Sequence, residues 1–137
     1  MWSATRRGSV AVAGSYIPVP FDPVMPATLP AGYAPSGAEI TRTAAGTTLT
    51  VAFRHAAAEL DGVGLLFSQA PGQGLPPPQE AMVEAVQLLP GVSARWSPQR
   101  HLLEWVDGGS YRSLSGPGFG LSTLAQVARS LRPVTVP

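Results

Sequence analysis

The stretch from His101 to Leu131, HLLEWVDGGSYRSLSGPGFGLSTLAQVARSL, decides the fold. From His101 to Val106 the residues alternate, with Leu103 and Trp105 on one side and Leu102, Glu104 and Val106 on the other. That is the period of a strand. Asp107-Gly108-Gly109 supplies residues that tolerate positive φ, so the chain can reverse there. A three-residue loop predicts Trp105 opposite Tyr111, Glu104 opposite Arg112 and Leu102 opposite Leu114. Such matched pairs contribute about 0.2–1 kcal/mol each and favour this register over a one-residue slip. Ser115 to Gly120 then breaks the strand with three glycines and a proline. Ser122 is the expected cap of a helix in which Leu121, Leu124, Val127, Ala128 and Leu131 recur at helical spacing, with Pro133 as its stop. One apolar stripe on a helix must be buried, and the sheet is the expected cover.

The 137 residues are about one domain's worth of chain. A net charge of +1 gives no argument for nucleic acid or anionic lipid. All nine basic residues are Arg, and Lys, Asn and Cys are absent. Lys and Asn share A-rich codons, so a GC-rich genome explains the first two absences before any chemistry does. Without cysteine there is no disulfide framework, thiolate nucleophile or Cys-based metal site. Charged residues make up 12% of the chain, against about 25% in average domains. Fifteen glycines and fifteen prolines raise the loop content, and a low-charge, loop-rich surface suits a partner-binding domain.

Residues 1–35 read as a Pro-rich irregular lead or linker, with residues 36–137 as one α+β domain. The run Val10–Ala13 is shorter than the roughly 7–15 apolar residues of a signal peptide, even with Arg6 and Arg7 before it. Nothing approaches the roughly 20 apolar residues of a membrane-spanning helix. An alternative is that the lead is a former linker in a longer protein. Ile40–Arg42 is a possible start of the sheet. Thr48–His55, with Leu49, Val51 and Phe53 alternating, and Val63–Gln69, with Val63, Leu65 and Phe67, are the clearer strands. Pro71–Pro78 is a Gly/Pro/Gln loop. Glu80–Leu89 fits either a helix or a strand, and periodicity does not arbitrate over so short a run. Val92–Trp96 is a short strand entering the terminal hairpin.

Several segments taken in order resemble one family: GY at 32–33, LLFSQ at 65–69, VEAVQLLPGVSARW at 83–96, LLEWVDGGSYRSLSG at 102–116 and a helix ending ARSL. Together they look like the DUF4367 domain, which in bacterial anti-sigma-factor-like and sporulation-related proteins often follows a membrane helix and faces away from the cytoplasm. The resemblance covers about Pro30 to Leu131, and it implies a strand at Val83–Leu88 and an extracytoplasmic location. It is a more distant likeness to the curved sheets of lipoprotein carriers and sigma regulators. The family pattern implies no defined activity, and the membrane helix and cytoplasmic Cys/His module of longer relatives have no counterpart in this sequence.

No catalytic, cofactor-binding or metal-binding residues are expected. His55, Glu59 and Asp61 lie close in sequence, but metal sites usually need three or four convergent ligands and His55 ends a strand. Gly116–Gly120 before a helix has free N–H groups able to hold an anion, but its spacing is not G-x-G-x-x-G. It reads as a connector. Gly109–Ser113 is not a nucleophile elbow. Trp105 belongs to the core, whereas Trp96 at a strand end is expected to be exposed. Trp96, Arg100 and His101 form the candidate interface.

The expectation is thus an α+β fold: an antiparallel, curved sheet of four to six strands with one C-terminal helix packed on it. The expected function is a non-enzymatic extracytoplasmic sensor or protein-interaction domain, within an envelope signalling or anti-sigma system, with a protein as partner and no cofactor. The alternative is a carrier that holds an apolar acyl chain in the concave face of the sheet. A hydrolase would need two acidic groups or a Ser–His pair converging in a cleft.

Overall fold

A computed structural model describes residues 9–12, 15–18, 23–43, 46–55, 64–72, 74–75 and 82–133. The described strands are β1 (Ser9–Val12), β2 (Ser15–Pro18), β3 (Val24–Pro26), β4 (Tyr33–Thr43), β5 (Gly46–His55), β6 (Leu65–Pro71), β7 (Glu84–Leu89), β8 (Val92–Ser97), β9 (Leu102–Asp107), β10 (Ser110–Ser115) and β11 (Leu131–Pro133). The helix α1 runs Leu121–Arg129. The fold is α+β. Its main sheet is antiparallel throughout and has seven strands in the order β4-β5-β6-β10-β9-β8-β7, one more than the largest number expected. It consists of two meanders, β4 to β6 and β7 to β10, joined where β6 pairs with β10.

Pleating assigns two faces. Leu49, Val51 and Phe53 of β5, Leu65 and Phe67 of β6, Leu114 of β10, Leu103 and Trp105 of β9, and Ala94 and Trp96 of β8 share one face. All are buried. Each apolar side chain removed from water there contributes about 1.5–3 kcal/mol. Helix α1 covers this face with Leu124, Ala125, Val127 and Ala128, reaching β7, β9 and β10.

The helix departs from expectation at both ends. Gly120 is the N-cap, without a side-chain cap, and Leu124 N–H donates to its carbonyl. Ser122 already lies inside the first turn, so its hydroxyl does not cap. The chain is not halted by Pro133: after Ser130 it straightens into β11, which pairs antiparallel with β3. Proline fits this two-stranded ribbon because an edge position does not need its N–H.

The terminal hairpin is slipped by one residue from the expected register. Asp107 pairs with Ser110, Val106 with Tyr111, Trp105 with Arg112, Glu104 with Ser113 and Leu103 with Leu114. Gly108 at φ 59° and Gly109 at φ 78° supply the two consecutive positive φ angles of a two-residue turn, whose twist matches the flanking strands. Trp105 and Tyr111 therefore lie on opposite faces. The slip puts Leu114 beside Leu103 and Phe67 in the core, which the expected pairing with Leu102 would not have done.

Part of the lead belongs to the fold. Val24 N–H donates to Gln69 Oε1 at 2.9 Å, and Gln69 Nε2 donates to the Val24 carbonyl at 3.0 Å. Gln69 is 1% exposed, so these bonds satisfy a buried amide. Ser130 holds the next residues: its carbonyl accepts from Ala27 N–H and its hydroxyl accepts from Thr28 N–H. β4 begins at Tyr33, so the expected boundary at residue 36 falls inside a strand. The ambiguous 80s segment is strand from Glu84 to Leu89. Val63 and half of Pro71–Pro78 lie outside the described residues.

Candidate functional site

At the end of the sheet where β9 begins, rings from five segments meet. The turn from Pro98 to His101 carries His101 at φ 47°, the one non-glycine positive φ among the described residues. Its Nδ1 lies 2.9 Å from the Phe119 carbonyl oxygen. A carbonyl only accepts, so Nδ1 carries the hydrogen. The His101 carbonyl in turn accepts from Gly116 N–H at 3.2 Å, which clips the turn to the loop before the helix. Phe119 folds back over Gly116, where an added Cβ would stand 2.5 Å from the ring. That close approach is why glycine suits the position.

The rings continue on either side. Trp96 meets His101 edge-on, with centroids 6.3 Å apart. Tyr33 packs edge-on against Phe119 at 5.3 Å and against His55 at 5.4 Å. Such pairs are worth about 0.5–1.5 kcal/mol each. The series Trp96, His101, Phe119, Tyr33, His55 thus crosses one end of the molecule and contains both histidines of the sequence.

Of the three candidate interface residues, Arg100 is exposed and His101 partly so, whereas Trp96 is 7% exposed and belongs to the core. The expectation that Trp96 would be exposed is corrected. Its position on β8 is two residues from Ala94 and opposite Leu103, so the pleat turns the indole inward. The structure does bring Trp96 and His101 into contact. His55 does end β5, and the other two candidate metal ligands, Glu59 and Asp61, lie outside the described residues. Among the described residues no three His, Cys, Asp or Glu side chains converge.

The opposite face of the sheet holds a network that the expected register concealed. Arg95 of β8 pairs with Glu104 of β9, its Nε and Nη2 donating to Oε1 at 3.3 and 3.1 Å. Tyr111 of β10 donates its hydroxyl to Glu104 Oε2 at 2.6 Å. Both carboxylate oxygens are therefore occupied, as a charge 5% exposed requires. Burial first, and the Glu104 carboxylate second, push the Tyr111 phenol well above its ordinary range. Arg112, once expected opposite Glu104, faces the other way beside Trp105 and Gln69. Burial lowers its pKa, against the pull of Asp107 at 3.4 Å. Its buried Nε has no hydrogen-bond partner. A Gly-Gly pair read as a two-residue turn would have placed Glu104 and Tyr111 on one face. Nothing in the sequence points to Arg95 as their partner.

A cavity of about 520 Å³, open to solvent and lined by Ala70, Pro71, Gly72, Gly74, Leu75 and Tyr111, lies at the other end of the sheet. It does not enter the space beneath the helix. Compared with known proteins, the chain matches no family model, no curated protein and no solved structure. No described helix is long and apolar enough to cross a membrane.

Proposed function

We propose that this chain is a non-enzymatic sensor or protein-interaction domain, working outside the cytoplasm in an envelope signalling system of the anti-sigma kind. The location and system rest on the resemblance to DUF4367 domains. The interaction role is supported above all by the filled interface between helix and sheet. Leu49, Val51, Leu65, Phe67, Leu103, Leu114 and Leu124 have no exposure, and Phe53 and Trp105 only 1%. A carrier needs a cavity of about 300–1,000 Å³ where its ligand sits. Here the side chains on the helix-covered face have almost no surface open to solvent, which disfavours the acyl-chain reading.

Arg100 and His101, mounted on the Trp96–His101–Phe119 cluster, are the contact surface in this reading. The rings fix the turn, and the exposed Arg100 presents a charge beside them. Arginine and aromatic groups are enriched in binding hot spots. The test is a photo-crosslinking residue placed at Arg100, or at the exposed Ser93 near the opposite end of β8, in the native host. A discrete protein adduct from Arg100 and none from Ser93 is expected. Equal labelling from both, or from neither, would overturn this surface.

A further inference from the structure

The two edges of the seven-stranded sheet are treated differently. At one edge, β7 has six residues and is interrupted by a bulge between Gln87 and Leu89. The carbonyl of the bulged residue, Leu88, accepts from Arg129 Nε at 2.7 Å. The helix thus closes that edge. At the other, β4 runs eleven residues, Tyr33 to Thr43, or about 35 Å of strand. β5 pairs with its inner side, and among the described residues no strand pairs with its outer side. Its defences, Pro35 and a bulge between Pro35 and Gly37, are confined to the first half. From Ala38 to Thr43 there is no proline or bulge, and the two charges, Glu39 and Arg42, are of opposite sign. Natural proteins rarely leave so long an edge without such devices unless something pairs with it.

We propose that β4 pairs antiparallel with β4 of a second copy of this chain, joining two sheets into one of fourteen strands. A two-fold axis perpendicular to the sheet through Ile40 keeps both core faces on one side and sets residues summing to 80 opposite one another. Ile40 then meets Ile40, Ala38 meets Arg42, and Glu39 meets Thr41. No like charges stand directly opposite. Ala38 and Ile40 are only partly buried where they pack on the core border, and the second copy covers their open flank. The strand carries one acid and one base, Glu39 and Arg42, and the whole chain only +1, so the net repulsion between two copies is small. An edge strand is its own complement under such an axis, which is what an isologous contact requires.

The experiment is sedimentation of the full chain with two exposed-site variants, since Glu39 and Thr41 are both exposed and their replacement spares the core. The wild type should sediment at twice the single-chain mass at micromolar concentration. T41E sets two like-charge pairs across the axis and should weaken the dimer about tenfold or more. E39K combined with T41E turns both into opposite-charge pairs and should restore it. A wild type that stays single, a dimer indifferent to T41E, or a loss that the double variant does not recover would each overturn the proposal.

Discussion

The two faces of the one sheet are held by different physics. Beneath α1 the contacts are apolar and many, with Leu103, Leu114 and Leu124 without exposure. On the other face a single carboxylate, Glu104, collects Arg95 and Tyr111. The apolar face tolerates the loss of one contact in proportion to the cavity left. The polar face has one hub, and removing it deprives a partly buried cation and a partly buried phenol of the carboxylate they share. Stability is distributed on the first and concentrated on the second.

The largest effect is expected on the apolar face. Leu124→Ala should cost about 4 kcal/mol and lower the melting temperature by roughly 15 °C in a thermal scan. An unchanged melting temperature would mean that the helix is not part of the core. Glu104→Ala on the polar face should cost about 3 kcal/mol in urea unfolding, because one partner of a nearly buried pair is removed. A cost below about 0.5 kcal/mol would reduce the network to an ordinary surface ion pair.

Tyr111→Phe removes only the hydroxyl and should cost about 1.5 kcal/mol. It also changes the alkaline limb. The folded phenol holds its proton more tightly than the unfolded one, so the wild type keeps this contribution below about pH 10 and loses it as pH rises further. Unfolding midpoints at about pH 9 and about pH 11 should therefore diverge less for Tyr111→Phe than for wild type. A wider gap in the variant would contradict the raised phenol. Smallest of all, Gly120→Asp supplies the missing helix cap and should gain a few tenths of a kcal/mol, read from the same unfolding curves.

The same contrast marks how far the sequence could be read. The apolar face is legible because alternation in Leu49-Val51-Phe53 and the stripe from Leu121 to Val127 carry their own period. The polar network is not, because it depends on register, and register turned on whether Gly108-Gly109 closes a two- or three-residue loop. Competing pair matches favoured the longer loop, while the requirement to bury Leu114 selected the shorter one. β3 and β11 were illegible for another reason. Their partners are more than a hundred residues apart, and Pro26 and Pro133 suggested breaks rather than an edge ribbon. Trp96 was misplaced because its neighbours Ser97 and Pro98 suggested a surface turn, when its parity with Ala94 already turned it inward. At the candidate site, the clip between His101 and Phe119 joins residues eighteen apart through a backbone carbonyl, which leaves no pattern in residue types.

If the domain works through its surface, as proposed, the space between helix and sheet takes up no ligand. A fluorescence titration with a long-chain polyene fatty acid tests it, read by ligand emission and, in a Trp2→Phe, Trp96→Phe variant, by quenching of the buried Trp105. The expected result is a linear, non-saturable signal with tryptophan emission unaltered. Saturable one-to-one binding that quenches Trp105 and is displaced by an unlabelled fatty acid would contradict it and restore the carrier.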